Sequence, residues 1–157
     1  VLWFLRLNHI AGPNTNESLS FGRTTNTFNQ EIATHLYYSF NQVIGPSVTG
    51  HLIAMGEKVE DLTGGNNSFD NLLAGLRFTY IVSPRTQIRA TGTYQYEYYP
   101  YFTQYLHVWT GRVEIYHRFS DLWAWHLQYQ YQNRSTNIPN NGYYENMVML
   151  TLSRYFP

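Results

Sequence analysis

The chain has no cysteine in its 157 residues. That excludes disulfides, thiolate metal sites and a cysteine nucleophile. Charge is scarce too. Asp, Glu, Lys and Arg make up 13% of the residues, about half the share usual in a soluble domain. Ten basic residues balance ten acidic ones, so the formal net charge is zero. The balance removes any bulk attraction to nucleic acid or to an anionic membrane surface. Long apolar runs are also missing: none approaches the ~20 residues of a membrane-spanning helix, and no segment shows a helical hydrophobic period.

What is abundant is aromatic. Fifteen Tyr, nine Phe and four Trp account for 18% of the chain. A chain poor in charge, rich in Tyr and Trp, and without long apolar runs suits a wall with lipid on one side and water on the other. The competing reading is a soluble, tyrosine-rich sandwich. Such a core would have to bury many phenolic hydroxyls.

Period-two alternation, which sends successive side chains to opposite faces of a strand, carries the argument further. Over Asp121–Gln132, Trp123, Trp125, Leu127, Tyr129 and Tyr131 share one face, and Ala124, His126, Gln128, Gln130 and Gln132 share the other. Over Arg85–Tyr98, Ile88, Ala90, Tyr94, Tyr96 and Tyr98 oppose Gln87, Arg89, Thr91, Gln95 and Glu97. Within Tyr105–Phe119, Trp109, Val113 and Ile115 oppose Arg112, Glu114 and Arg118. Leu72, Leu76 and Phe78 oppose Arg77 in Asn71–Val82, and Val148, Leu150 and Leu152 oppose Met147, Met149 and Thr151 in Tyr143–Phe156. Further strands are expected near 1–10, 18–26, 31–41 and 47–57, with His35 and, on an assumed register, His51 on the polar side.

Connection lengths alternate. Ile81–Arg85 and Phe119–Asp121 read as tight turns, whereas Lys58–Ser68, Tyr99–Thr103 and Asn133–Gly142 read as longer polar links. Short turns at one end and long loops at the other are a habit of outer-membrane barrels. The expected fold is therefore all-β, an antiparallel transmembrane β-barrel forming one domain over residues 1–157. About nine strands are visible where bacterial barrels have even numbers, and the chain opens on Val1-Leu2-Trp3 inside a strand. The expectation is the C-terminal part of a larger, even-stranded barrel.

Pairing across the connections brings candidate site residues together. A first turn centred on Ser83 sets Arg77 against Arg89, and a loop centred near Tyr101 sets Arg89 against Arg112. A turn centred on Ser120 brings Gln128 beside Arg112 and His126 beside Glu114. Three arginines then form a row, with Glu114 and Gln87 one step away and Arg118 and Glu97 further along the same face. Shifting the middle loop keeps every face but sets Arg89 against Glu114, an ordinary salt bridge. Like charges directly opposed are destabilising, so the row needs carboxylates, water or an anionic solute. Read functionally, a basic stripe focuses anions in a pore. Trp123, Tyr131, Tyr94, Tyr96, Tyr98, Tyr144 and Phe156 are expected to form aromatic girdles on the lipid side.

No enzyme motif is evident. The six His are scattered, and hydrogen bonding to neighbours explains them better than metal. The acids and amides of the Glu60–Asp70 loop fit no calcium-loop spacing. No cofactor is expected.

Several local patterns carry a resemblance. Asp70-Asn71 leads a strand, and Gly75-Leu76-Arg77-Phe78-Thr79-Tyr80 precedes a Ser-Pro turn. Tyr94-Gln95-Tyr96 follows, then Tyr129-Gln130-Tyr131-Gln132-Asn133-Arg134-Ser135, then Tyr144-Glu145-Asn146 opening a strand that ends Tyr155-Phe156. Over roughly residues 69–156 the chain resembles the family of outer-membrane β-barrel porins often encoded with exopolysaccharide-export systems. The resemblance implies a bacterial outer-membrane location and a porin-like channel, or the outer-membrane conduit of a polysaccharide exporter. It also implies outer-membrane lipid and lipopolysaccharide around the wall, barrel-assembly machinery that reads the last strand, and a periplasmic export partner. Association of copies into a homo-oligomer fits as well. The alternatives are a scaffold barrel with a plugged lumen and a barrel-embedded hydrolase.

Overall fold

The computed structural model describes residues 3–26, 30–63 and 68–155. They form nine strands: β1 (Trp3–Gly12), β2 (Thr15–Asn26), β3 (Glu31–Gly45), β4 (Val48–Asp61), β5 (Phe69–Ser83), β6 (Thr86–Tyr99), β7 (Gln104–Arg118), β8 (Trp123–Thr136) and β9 (Tyr143–Arg154). Each pairs antiparallel with its neighbour in sequence, giving a single sheet ordered β1 to β9. Phe156, expected in a girdle, lies outside the described residues.

Proline marks the short-turn end. Pro13-Asn14, Pro46-Ser47 and Pro84-Arg85 are two-residue connections, and proline's fixed φ suits the first turn position. In each case the entering strand carries a one-residue register shift just before the turn, at Ala11, Ile44 and Val82. Such bulges add right-handed twist and bend the strand. The turns are tied to the next strand but one. The carbonyls of Asn14, Ser47, Arg85 and Leu122 accept from the amides of Val43, Ile81, Arg118 and Tyr155 at 2.7–2.8 Å.

The Val82 bulge and the true lengths of two later connections overturn the expected pairings while keeping every face. Ser83 pairs with Thr86, and the Val82 bulge lets Ile81 meet Gln87. Arg77 therefore faces Thr91, and Arg89 faces Thr79 rather than Arg77. Between β6 and β7, Tyr99 pairs with Gln104 around a 3-10 turn at Pro100–Phe102, closed by Thr103 at φ 51°. That sets Arg89 against Glu114, not Arg112. The β7–β8 turn spans 119–122, one residue longer than expected, because the Ser120 hydroxyl accepts from the amides of both Leu122 and Trp123. Gln128 consequently faces Glu114, and His126 faces Tyr116.

The two faces are inverted relative to a soluble protein. On one, Leu5, Leu7, Leu36, Leu72, Leu76, Phe78, Trp109 and Tyr129 are all exposed. The buried side chains among the described residues, Ser20, Val59, Ala124 and Gln128, lie on the polar face. No apolar core exists on either side among these residues. The polar face is the crowded one, as on the inside of a curled sheet. Trp123, Tyr94, Tyr96, Tyr98 and Tyr144 all project from the apolar face. So does Tyr131, but it stands opposite Gly111 near the middle of β7 rather than at a strand end. A shallow hollow of about 540 Å³ crosses this face, floored by Ala54, Ala74, Gly92 and Gly111 and walled by Tyr94 and Trp109.

Gly92 permits a clean test, because a Cβ there meets nothing within 4 Å. Gly92→Arg should cost about 2–4 kcal/mol, the penalty for a cation facing lipid at mid-depth. Thr93→Arg, one residue along on the polar face, should cost less than about 1 kcal/mol. Denaturant unfolding of the two variants in lipid vesicles checks this, and equal costs would show that both faces meet the same solvent.

Candidate functional site on the polar face

Strands β4 to β8 bring their polar side chains into two adjacent rows. The first runs His51, Arg77, Thr91, Arg112, Gln130. Arg112 donates from Nε and Nη2 to the Gln130 Oε1 at 3.1 and 2.9 Å. An amide supplies no negative charge, so among the described residues Arg112 keeps its cation unneutralised. Arg77 has neither an ion pair nor a side-chain hydrogen bond among the described residues. Two unneutralised arginines thus flank Thr91, two strands or about 10 Å apart.

The second row, one step nearer the short turns, runs Thr49, Thr79, Arg89, Glu114, Gln128. Glu114 is mostly enclosed, its side chain 14% exposed, and its two oxygens face a guanidinium and an imidazole. Oε2 lies 3.7 Å from the Arg89 Nη1, and Oε1 lies 3.3 Å from the His126 Nε2 on the neighbouring strand. His126 thus reaches Glu114 diagonally, although Tyr116 is its direct partner. Beside this cluster is a cavity of about 420 Å³ lined by Gln87, Arg89, Glu114, Tyr116, His126 and Ser153.

The sequence expectation of three arginines on one face of three consecutive strands holds, but not their shared height. Arg89 sits a step away from Arg77 and Arg112 and spends its charge on Glu114. Two other expected members of the face serve local structure. Glu97 accepts from the Gln95 Nε2 at 2.7 Å and the Tyr99 hydroxyl at 2.9 Å, near the long-loop end. Arg118 donates to the carbonyls of Ser120 and Asp121 and lies 3.5 Å from the Asp121 carboxylate, which clamps the β7–β8 turn. Thr91, Gln130, Tyr116 and Ser153 join the site unanticipated. Their polar or alternating positions were visible, but their heights depend on the Val82 bulge and on the lengths of the later connections. Among the described residues no three His, Asp or Glu side chains gather to hold a metal. In the Glu60–Asp70 loop, Asp61 accepts from the Thr63 amide and hydroxyl at 2.8 and 2.6 Å; residues 64–67 lie outside the described ones.

On the apolar face, histidines hydrogen-bond to neighbours. His107 Nδ1 lies 2.7 Å from the Tyr94 hydroxyl, and His117 Nδ1 lies 2.9 Å from that of Thr86. At the short-turn end the Arg154 guanidinium lies over the Trp123 ring, 5.5 Å from its centroid.

No protein-family model and no curated protein sequence matches the chain. Solved structures do. The chain is similar to a loop L8 deletion mutant of OmpT, an outer membrane protein of Vibrio cholerae, with a TM-score of 0.73 and 10% identity over 97% of this chain and 53% of that one. It is similar also to in-vitro folded OmpT of the same organism, with a TM-score of 0.69 and 11% identity over 97% of this chain and 55% of the other. The chain spans about half the length of these neighbours. In fold it is the wall of an outer-membrane β-barrel.

The register has a direct readout because the chain lacks cysteine. Facing residues in an antiparallel pair have Cα atoms about 4.5–5.5 Å apart, within reach of a disulfide. Thr79→Cys with Arg89→Cys should oxidise readily. Arg77→Cys with Arg89→Cys, on the same face but a step apart, should not. Gel mobility with and without reductant decides, and preferential oxidation of the second pair would restore the three-arginine row.

Proposed function

We propose that this sheet forms part of the wall of a water-filled, anion-preferring conduit across the bacterial outer membrane, its polar face turned to the lumen. The observation that carries the reading is the Arg77–Thr91–Arg112 row. Among the described residues neither guanidinium has a carboxylate partner, while the nearby Glu114 is committed to Arg89 and His126. An unneutralised pair in a narrow aqueous passage attracts anions by focusing the field between low-dielectric walls. The exposed aliphatic and aromatic face opposite supports a lipid surround, since a contiguous patch of that size is foreign to soluble monomers.

Resemblance to porins encoded with exopolysaccharide exporters extends the proposal to cargo: acidic saccharide chains would draw on the same cations. In that setting the lipid surround includes lipopolysaccharide, and a periplasmic export partner delivers the polymer. A plugged scaffold barrel is the alternative that conductance separates, because it passes no current.

In planar bilayers the protein should conduct and prefer anions. Replacing Arg77 and Arg112 together with Gln should move the reversal potential towards cation preference. The shift should be larger at 0.01 M than at 1 M salt, where the Debye length falls from about 30 to 3 Å. A conducting channel whose selectivity ignores the double change would place the row outside the permeation path.

A further inference from the structure

The cavity beside Arg89, Glu114 and His126 differs in kind from the cationic row above it. We infer that it is a binding site for small zwitterions of the amino-acid type, distinct from the anion path. The inference rests on the polar face being reached by water, as the proposed conduit requires.

Three observations converge. Arg89 is under-bonded: its one polar contact among the described residues is the 3.7 Å approach to Glu114, and its shielded Nε has no hydrogen-bond partner. The side chain as a whole is 40% exposed, so its terminal donors reach water and are open to a ligand. The shielded Nε is one of five donors and is left unmet at a cost. Glu114 is under-bonded in the complementary sense. Its contacts of 3.7 and 3.3 Å exceed the roughly 2.7–2.9 Å of a charge-assisted hydrogen bond, so both oxygens retain acceptor capacity. Finally, the cavity of about 420 Å³ has polar groups of both kinds around it, with the Gln87 amide and the Thr151 and Ser153 hydroxyls beside the ionic pair. That volume falls within the range of small-molecule sites, about 300–1,000 Å³.

Charge decides the ligand class. A simple anion drawn to Arg89 meets the Glu114 carboxylate, and a simple cation drawn to Glu114 meets Arg89. A solute carrying both charges on neighbouring atoms satisfies the pair at once, its carboxylate on the Arg89 guanidinium and its ammonium on Glu114. The imidazole of His126, on the far side of Glu114, holds that carboxylate in place. Arg77 and Arg112 offer no such partner and remain an anion site.

Calorimetry on the purified protein in detergent micelles tests this without any ion flux. Glycine is the probe, with acetate and methylammonium as its separated halves at the same pH and salt. Glycine should bind, and each half should bind at least about tenfold more weakly. Glu114→Gln and Arg89→Gln should each weaken glycine by about ten- to a hundredfold, the worth of one charged hydrogen bond. Heat-modifiable gel mobility verifies that the variants fold; if they do not, the comparison of glycine with its halves on the unaltered protein still decides. Acetate binding as tightly as glycine, no glycine binding at all, or folded variants with unaltered affinity would each overturn the site. A channel that conducts without binding glycine loses the site and keeps the conduit. Binding by a protein that does not conduct has the reverse meaning.

Discussion

Inside a bilayer no water is available to a bare peptide group, and each unpaired N–H or C=O costs several kcal/mol. The arrangement of this chain follows from that constraint. Every strand hydrogen-bonds to its sequence neighbours along nearly its full length. Among the described residues proline, which removes a donor, is absent from all nine strands and confined to their connections. Where three connections shorten to two residues, the bulges at Ala11, Ile44 and Val82 re-aim the chain. The carbonyls at those turns then find donors on the next strand but one. The ladder is thereby kept continuous to its edge.

With the backbone satisfied by pairing, side chains are free to invert the usual distribution. The apolar set covers one face in exposed positions, and close packing is found instead around Gln128 and Ala124 on the polar side. Polarity and crowding thus coincide. Nine is an odd count, so β1 and β9 run in the same direction and each has a single partner in the sheet. A barrel containing this sheet with antiparallel pairing throughout needs an odd number of further strands between them. A second copy in the same membrane orientation, joined edge to edge, would meet β9 with a parallel β1.

Strand number, alternation and the identity of each face were legible because period two needs no knowledge of pairing: a residue's face follows from its own strand. Height was not legible, because it accumulates over turns and bulges. Placing the turn at Ser83 rather than at Pro84-Arg85 and missing the bulge at Val82 moved Arg77 from Thr91 to Arg89. A usable signal was present. Gly12-Pro13-Asn14-Thr15, Gly45-Pro46-Ser47-Val48 and Ser83-Pro84-Arg85-Thr86 are three versions of one small-residue–Pro turn, each preceded by its bulge. Recognising the repeat would have set two of the four short turns in register from the third. The β7–β8 turn has no proline and is organised by the Ser120 hydroxyl. Its length was therefore harder to read.

The two-residue correction in pairing has an electrostatic consequence large enough to explain why the chain adopts it. Two guanidiniums on directly facing positions, about 5 Å apart, would repel by roughly 3 kcal/mol at an effective dielectric near 20. Three in a row would pay that twice. Moving Arg89 one step along its strand removes both contacts. It replaces one with the attraction of Glu114, and leaves Thr91 as a neutral spacer between Arg77 and Arg112. At about 10 Å the remaining repulsion is roughly half as large by distance alone, and salt at that separation screens it further. The wall thus retains two unneutralised cations facing solvent at a tolerable cost. It also gathers its balanced charges, Arg89 and Glu114 with His126, into a separate enclosed cluster. A single row of alternating charge would have neutralised the face throughout. Separation into a cationic pair and a neutral cluster lets one short stretch of wall present two different chemistries to whatever passes it.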